Sequence, residues 1–324
     1  MAPLPTPLFS VVVTTYNRED IVRRCVDSCL AQTLDDFEVV VVDDASGDDT
    51  VAAIERYEDP RVRVVAHEVN RGISSGRRTG TAHARGEWVV VVDSDWELYP
   101  HTLDRLRELI EALPPGVRVI RSRLRWDDGR VTPHFMPAEP IGYEGRIRWV
   151  EEEGGWDAGR CIKREVFERT PYFADRRGAM EALWELDLAR VETSLCVEEV
   201  LGMEHDDAAN SYLRSVDSSL IPRLYAEAPD MLWMAEAALA RHGEALRRWG
   251  PRQYAIFSRF GASSAFLLGR RRLGLRLALH SLRVRPLDPM MWATVAVGIW
   301  GRRAAAAGAL AFRRLNAWRS ARAG

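Results

Sequence analysis

Two aspartates separated by one residue, Asp93 and Asp95, directly follow a run of four valines. Carboxylate oxygens suit hard cations such as magnesium or manganese, and a cation held by both side chains can bridge to a diphosphate. Without a cation, the two carboxylates would repel each other at the end of a buried strand. The motif Asp93-Ser94-Asp95 therefore predicts a divalent metal site with Asp93 and Asp95 as ligands.

Two further polar clusters follow hydrophobic runs in the same way: Thr14-Thr15-Tyr16-Asn17 and Asp43-Asp44-Ala45-Ser46. Ligands of doubly wound sheets bind at the carboxyl ends of the strands, so we expect all three clusters to meet at one sheet edge. No GxGxxG or GxxxxGK[ST] phosphate loop follows the first run, which argues against a dinucleotide dehydrogenase and a P-loop ATPase.

The elements that must position these clusters are predicted from hydrophobic periodicity over residues 8–125. Short β-branched runs predict strands, and apolar residues at helical spacing between them predict helices. This alternation indicates an α/β fold with a mostly parallel sheet covered by helices. The predicted strands are 9–15, 37–42, 62–66 and 87–92. Four helices are predicted between and after them: one that Asn17 caps, one that Asp48 caps and that ends at Tyr57, one over 74–85 and one over 102–113.

The rest of the chain is less regular. Prolines and glycines between about 117 and 160 predict loops and short strands, helical spacing returns over 177–190, and 194–203 resembles a strand. Beyond about 215 the pattern is helical throughout. The four cysteines lie in apolar surroundings and are expected to be buried, reduced thiols.

Composition excludes some functional classes. The chain has 324 residues, of which 47% are apolar, so it can bury a sizeable core, and its net charge of −2 gives no global attraction to nucleic acid. Residues 270–324 carry twelve arginines and one acid, or +11, which leaves −13 on the first 269 residues.

Arginines with leucines and tryptophans in 270–324 predict peripheral contact with an anionic membrane, and a helical bundle or self-association surface is the alternative. RNA binding is disfavoured because no base-stacking module accompanies the arginines. The sequence shows no signal-peptide pattern at its start and no stretch of 18–20 apolar residues. We therefore expect a cytoplasmic protein; if residues 270–324 contact a membrane instead of forming a bundle, they do so at the inner face of the plasma membrane.

Four motifs resemble family 2 glycosyltransferases with the GT-A fold: TTYNR (14–18), VVDDAS (41–46), NRG (70–72) and VVDSD (91–95). They occur in the order and spacing of that family. The resemblance is close over 8–115 and looser to about 205. It implies a glycosyltransferase domain over 1–215, with a nucleotide-sugar half at 8–115 and an acceptor half at 116–215, followed by a helical, Arg-rich region at 216–324.

The resemblance also implies an activity and a set of site residues. The activity is metal-dependent, inverting transfer of a sugar from a nucleotide diphosphate, of the UDP type, to a glycan, lipid-linked or small-molecule acceptor. The metal is manganese or magnesium, and no nucleic acid is involved. Nucleotide and sugar contacts are expected from Thr14, Thr15, Tyr16, Asn17, Asp43, Asp44, Asn70, Gly72, Arg77, Asp93 and Ser94.

Inverting transfer needs a carboxylate that takes the proton of the acceptor hydroxyl. Family members supply it from a helix that reads like EDWELWLR, whereas the corresponding helix here, 180–190, has Ala and Leu where the acidic pair should be. Shifting the alignment with the family motif by one residue places Glu181 at an acidic position, so Glu181 is the first candidate for the base. Glu185 and Asp187 are the alternatives, and a solvated acidic helix face without catalytic function is a third interpretation.

Other candidates are single residues. His205 could complete the metal shell, as in some enzymes with this fold, or lie in a surface turn. Trp96 could stack on a sugar or close the core. Trp156 and Asp157 fall where the acceptor side of the cleft is expected.

Two other functions remain open. A sugar-1-phosphate nucleotidyltransferase has a related sheet, but the Gly-rich basic loop that it needs after the first strand is missing. A glycosyltransferase-like subunit that binds nucleotide and has lost its base is the non-enzymatic alternative.

Overall fold

The computed structural model describes residues 6–153, 159–174, 176, 180–207, 220–308 and 310–311. The strands are β1 (Phe9–Thr15), β2 (Phe37–Asp43), β3 (Val62–Ala66), β4 (Trp88–Asp93), β5 (Trp96–Leu98), β6 (Val119–Trp126), β7 (Val131–Thr132), β8 (Gly159–Lys163) and β9 (Ser194–Glu204). The helices are α1 (Glu19–Leu30), α2 (Thr50–Glu55), α3 (Ile73–His83), α4 (Thr102–Glu111), α5 (Tyr143–Glu153), α6 (Val166–Arg169), α7 (Glu181–Val191), α8 (Leu220–Trp249), α9 (Pro251–Leu267), α10 (Arg271–Val284) and α11 (Pro289–Ile299). Residues 302–308 are also helical.

The described strands form one sheet in the order β3-β2-β1-β4-β8-β6-β9-β5, and β7 pairs with β6. The first four strands in this order are parallel, as the alternation of strands and helices predicts. β8 then runs antiparallel to both β4 and β6, and β6 runs parallel to β9. The fold is therefore α/β with a mixed sheet, and the parallel half of that sheet carries the three polar clusters.

Both faces of the sheet are buried because alternate residues of each valine run point to opposite sides. Val11 and Val13 pack in one apolar cluster with α1 and α4, and Val12 packs in a second cluster with α7. α3 lies very close to β1, since a Cβ on Gly80 would be 2.3 Å from Val12 Cγ1. The uninterrupted hydrophobicity of the strands follows from this two-sided burial.

Several predicted helix ends are wrong by a few residues. Asn17 does not cap α1: its backbone is left-handed, with φ of 49°, and α1 begins at Glu19. Its Oδ1 accepts a hydrogen bond from the Gly47 N–H at 2.7 Å instead. Helix α2 ends at Glu55 rather than Tyr57, and Asp48 does bind the Thr50 N–H at its start.

The stretch from 117 to 160 contains more regular structure than its prolines and glycines predict. β6 is an eight-residue strand in the interior of the sheet, and α5 is an eleven-residue helix. β6 pairs with β8 on one side and with β9 on the other, and this pairing stabilises the strand despite its arginines. The four cysteines are buried free thiols, as expected.

The chain divides into two compact units. The first comprises 1–146, 155–177 and 184–208, and the second comprises 147–154, 178–183 and 209–324. The predicted boundary at 215–216 lies outside the described residues and stays a prediction. In the second unit, α8 to α11 share an apolar core, and Glu151 accepts hydrogen bonds from the Arg252 and Gln253 N–H groups at the start of α9.

Among the described residues, no helix combines the length and apolar character needed to cross a bilayer.

Candidate active site

The strand register brings the three polar clusters together. Thr15 of β1 pairs with Asp43 of β2, and Thr14 pairs with Asp93 of β4. All three strands are parallel and end at the same edge, so the residues that follow them extend from one side of the sheet. This is the edge where the sequence predicts a ligand site.

Asp43 holds the loop after β2. Its carboxylate is buried and accepts hydrogen bonds from both the backbone N–H and the hydroxyl of Ser46. Ser46 Oγ in turn accepts a hydrogen bond from the Asn17 N–H at 2.8 Å. Asp43 and Asn17, both predicted to bind nucleotide, therefore join the loop after β1 to the loop after β2.

Asp44 organises the neighbouring loop. It accepts hydrogen bonds from the N–H groups of Arg71 at 2.9 Å and Gly72 at 2.7 Å. His67 Nδ1 lies 2.8 Å from Asp44 Oδ1, and His67 Nε2 lies 2.9 Å from Thr79 Oγ1. A carboxylate offers about four acceptor positions, so these contacts fix Asp44 and leave one position for a ligand N–H or hydroxyl.

His67 is a residue that sequence reasoning missed. Its side chain is 6% exposed, and it follows β3 at the same edge of the sheet. Its position could have revealed it, because His67 directly follows the strand predicted at 62–66, just as each of the three polar clusters directly follows a predicted strand.

The segment 70–72 is held to the same loop. Asn70 Nδ2 donates to the Asp44 carbonyl at 3.2 Å. Gly72 has φ of 88°, a left-handed conformation that favours glycine, and α3 begins at the next residue. The predicted NRG motif thus places the start of α3 beside Asp44.

Each carboxylate of the DxD motif contacts a guanidinium. Arg77 Nη2 donates to Asp93 Oδ1 at 2.8 Å and Oδ2 at 3.1 Å. Arg18 Nη1 lies 3.0 Å from Asp95 Oδ2 and 3.0 Å from Ser94 Oγ. Arg77 was predicted to bind phosphate, and in this arrangement its Nη2 binds both oxygens of Asp93.

Asp95 is the more buried of the two carboxylates, with 14% of its side chain exposed against 26% for Asp93. Burial raises the pKa of Asp95, and the negative charge of Asp93 adds to this, while Arg18 opposes it. The two carboxylates therefore lie in a site where additional positive charge is favourable.

The donor chemistry of this motif fits a hard divalent cation. Within the part of the chain that the structure describes, no group of three or more His, Cys, Asp or Glu side chains is arranged to hold a metal alone. Asp93 and Asp95 would thus supply two ligands, and substrate and water oxygens would supply the others.

The structure does not place the His205 ring on the DxD carboxylates. His205 Nδ1 lies 2.8 Å from Asp127 and Nε2 lies 3.1 Å from Glu97. A metal ligand needs a free nitrogen lone pair, and both nitrogens already face carboxylates. Only the backbone reaches the motif, because the His205 N–H donates to the Asp95 carbonyl at 2.9 Å.

The candidates for the acceptor side have different outcomes. Trp96 is 5% exposed and packs in the apolar core, as the alternative to sugar stacking predicts. Trp156 and Asp157 lie outside the described residues.

Glu185 lies in a buried cluster of arginines. Its carboxylate is fully buried and contacts Arg121 Nη2 at 2.6 Å, Arg160 Nη1 at 3.0 Å and Arg146 Nη2 at 3.4 Å. Burial favours the neutral acid, but the three guanidiniums outweigh it and lower the pKa of Glu185. These contacts commit Glu185 to the arginines, which favours Glu181 and Asp187 as the proposed base.

Glu181 and Asp187 remain as candidate bases. Glu181 is the first residue of α7 and is partly buried, and it belongs to the second unit. Asp187 is partly buried in the first unit. Trp184 anchors the helix between them by stacking on Tyr172 at 4.1 Å and donating to the Thr170 carbonyl at 2.9 Å.

Comparisons with known proteins agree with this fold. The family model described as Glycosyl transferase family 2 matches residues 10–170. The succinoglycan biosynthesis protein ExoO of Rhizobium meliloti (strain 1021) is 40% identical over 133 residues, which are 41% of this chain and 38% of ExoO. The chain thus matches well under half of the length of this relative.

Two solved structures resemble most of the chain. S. aureus TarS in complex with UDP-GlcNAc superposes with a TM-score of 0.62 and 20% identity, over 97% of this chain and 92% of that one. The mannosyltransferase PcManGT from Pyrobaculum calidifontis, in complex with GDP-Man and Mn2+, has a TM-score of 0.53 and 21% identity, over 93% and 86%. At these identities the likeness establishes the fold. Over residues 10–170, about half of the chain, the sequence matches glycosyl transferase family 2, and the sheet is similar to that of the GT-A-like solved structures.

Proposed function

We propose that this chain is a metal-dependent, inverting glycosyltransferase that uses a nucleotide diphosphate sugar of the UDP type. The observation that carries the proposal is the juxtaposition of Thr14 with Asp93 and of Thr15 with Asp43 at one sheet edge. This register leaves the DxD carboxylates and the loop that Asp44 organises at the same sheet edge, on either side of β1. The proposed base and ribose contacts at Asp44 and the proposed diphosphate site at the DxD motif would thus share one edge, as a nucleotide diphosphate requires.

The residues of this edge have separable tasks. Asp44, fixed by His67, Arg71 and Gly72, offers its remaining acceptor position to a uracil N–H or a ribose hydroxyl. A carboxylate held by three contacts loses little conformational entropy when it binds, so it discriminates well between donors and acceptors in the ligand.

Asp93 and Asp95 would hold manganese or magnesium. When bound, the cation would neutralise the diphosphate and thereby make it a better leaving group. The relatives named above are consistent with this chemistry, because one of the similar structures contains Mn2+ with a nucleotide sugar.

The acceptor proton goes to a carboxylate on α7. Glu181 is our first choice, because it opens helix α7 at the position that a one-residue shift of the family motif predicts. Asp187 is the second choice. Attack on the face opposite the diphosphate gives inversion, so proton NMR of the first product should show the anomeric configuration opposite to that of the donor.

The acceptor in this proposal is a glycan or a lipid-linked sugar, with a small molecule as the alternative. The name of ExoO, a succinoglycan biosynthesis protein, supports a polysaccharide acceptor. A lipid-linked acceptor is presented at a membrane, so the proposal includes a cytoplasmic location with peripheral contact of residues 270–324 with the inner face of the plasma membrane.

The proposal is tested by thermal unfolding of the full chain with UDP, GDP, UDP-sugars and GDP-mannose, each with and without MnCl2. A ligand that binds only the folded state raises the melting temperature, and a concentration of a hundred times Kd contributes about 2.7 kcal/mol. We expect the largest increase with a UDP-sugar plus manganese. No increase with any nucleotide diphosphate would overturn the proposal.

Assays on the same purified chain distinguish the proposed transferase from the two alternative functions, a non-catalytic subunit and a nucleotidyltransferase. Release of UDP from a UDP-sugar on addition of acceptor identifies the transferase. If the chain binds a UDP-sugar but releases no UDP with any acceptor tested, it is a non-catalytic subunit. Release of pyrophosphate from UTP and a sugar phosphate identifies a nucleotidyltransferase.

A further inference from the structure

Helix α10 exposes a continuous stripe of arginine and leucine. Leu275 is 45% exposed and Leu279 is 49% exposed, and Arg272, Arg276 and Arg283 are also exposed. At 3.6 residues per turn these five positions lie within about a third of the helix circumference. We call them the α10 outer face: Arg272, Leu275, Arg276, Leu279 and Arg283.

The opposite side of α10 is committed to the core of the second unit. Gly274, Leu277, Ala278 and Ser281 are buried there. The contact is close, because a Cβ on Gly274 would lie 2.6 Å from Phe266 Cε1 on α9. Packing of this side therefore fixes which residues α10 presents outwards.

The outer face carries positive charge that is not balanced within its own segment. Residues 270–285 contain no acid, and the first acid after them, Asp288, is occupied as the N-cap of α11, where it accepts from the Met290 N–H at 2.9 Å. Burial lowers the pKa of His280 on the flank of α10, and the charges of Arg283, Arg276 and Arg247 lower it further. These cations are thus close enough to repel an additional positive charge.

Apolar side chains continue beyond the helix. Leu287, in the loop after α10, is 90% exposed, and Trp300, at the end of α11, is 83% exposed. Large apolar side chains at such exposure are unfavourable in water, and they are stabilised when an apolar phase covers them.

We propose that the α10 outer face binds the surface of a bilayer that contains anionic phospholipid, with the three arginines on lipid phosphates and Leu275 and Leu279 at the acyl boundary. This inference rests on the membrane contact in the proposed function and narrows it to one helix face and one lipid chemistry. Each arginine near an anionic leaflet strengthens binding by roughly fivefold, and the half-exposed leucines add a hydrophobic contribution.

The arrangement favours lipid over a macromolecular partner. Guanidiniums alternate with leucines along one convex helix surface, which matches the transition from headgroups to acyl chains. RNA recognition would need aromatic side chains on which bases stack, and the outer face has none. An acidic protein partner would use the arginines without requiring the leucines between them.

The test is co-sedimentation of the full chain with phosphatidylcholine vesicles, with or without phosphatidylglycerol, at low and high salt. Three variants are compared: Arg272→Gln/Arg276→Gln/Arg283→Gln, Leu275→Ser/Leu279→Ser, and a control that removes three exposed arginines of the first unit, Arg23→Gln/Arg56→Gln/Arg107→Gln. Circular dichroism and the melting temperature check that each variant folds.

We expect the unaltered chain and the control to bind only the anionic vesicles and to be released by salt. The arginine variant should partition about a hundredfold less, and the leucine variant about tenfold less. Equal binding by the arginine variant and the control would overturn the inference. So would an unaffected leucine variant, which would indicate a purely electrostatic surface for an acidic protein or polyanion.

A fourth variant separates this inference from the proposal on which it rests. If Arg313→Gln/Arg314→Gln/Arg319→Gln/Arg322→Gln abolishes binding and the α10 variants do not, the outer face is excluded while membrane contact of 270–324 stands. If the unaltered chain ignores anionic vesicles, both fail. Nucleotide-induced thermal stabilisation, measured on the same samples, reports the donor site independently.

Discussion

Arg18 Nη1 lies 3.0 Å from Asp95 Oδ2, so a residue from the loop after β1 neutralises the second carboxylate of a motif that follows β4. Arg77 does the same for Asp93 from α3. Any cation that binds the motif must share these carboxylates with two guanidiniums. The affinity of the proposed metal site would therefore depend on both arginines as well as on the aspartates.

Asp95→Asn should abolish manganese-dependent UDP binding, because it removes one of two anionic oxygen donors at the end of β4. Isothermal titration of UDP with and without MnCl2 measures this. Asp35→Asn is the control, since the Asp35 side chain is 97% exposed and lies away from the sheet edge. Unchanged manganese dependence in Asp95→Asn would contradict the metal assignment.

The same variant should be more stable than the unaltered chain at neutral pH. Burial raises the pKa of Asp95 above its ordinary value of 3.8, so the ionised form destabilises the folded state when the pH is above that value. Asparagine has no charge to bury. The gain in melting temperature should disappear as the pH falls through 3.8, where Asp95 becomes protonated in both states. A lower melting temperature at pH 7 would show that Asp95 contributes net stability.

Arg18→Gln should tighten manganese binding in the absence of nucleotide, by about three- to tenfold, since it removes a competing cation from Asp95. Manganese EPR measures the free ion directly and does not depend on activity. Arg18→Lys keeps the charge and is expected to bind manganese as the unaltered chain does. Weaker binding in Arg18→Gln would mean that Arg18 supports the metal-bound arrangement instead of competing with it.

Glu185→Gln should destabilise the fold by about 3–5 kcal/mol, because it removes the buried negative charge that three buried guanidiniums share. Urea unfolding of this variant is compared with Glu198→Gln, whose side chain is 60% exposed and pairs with Arg123, and for which we expect a loss of about 1 kcal/mol or less.

The pH dependence of that loss provides a second check. The pKa of Glu185 is below its ordinary value of 4.5, so the cluster stabilises the fold above pH 4.5 and loses this contribution as the pH falls below it. The difference between the unaltered chain and Glu185→Gln should shrink in the same range. A stable Glu185→Gln variant that lacks activity would return Glu185 to the list of bases.

Glu181→Gln should preserve donor affinity and lower kcat by about 10²–10⁴-fold, which is the usual contribution of a general base. Single-turnover kinetics with saturating donor separates the two effects. Asp187→Asn is measured in parallel, and loss of activity there with a fully active Glu181→Gln would identify Asp187. If both variants are active, the base is on another element.

The sheet edge shows how much was already determined by local sequence. Valine runs such as those before Asp43 and Asp93 form strands only when both faces are covered, and their polar ends must then lie at the carboxyl edge of a parallel sheet. That argument uses only period and residue type, and the register of Thr14 and Thr15 confirms it. The family motifs added the identity of the fold, which the family model and the similar structures support.

The partners of each charged side chain were decided by tertiary structure. Arg77 and Asp93 are sixteen residues apart, and Glu185 meets Arg121 and Arg160 from different strands. A sequence pattern records that Glu181 and Glu185 are both acidic and one helical turn apart, but the free energy of ionisation of each depends on burial and on charges that arrive from distant segments. Sequence thus determined the strands, their polar ends and the family. Only the folded chain decided that Glu185 is a structural counter-ion, that Trp96 belongs to the core, and that α10 directs its arginines and leucines to the solvent.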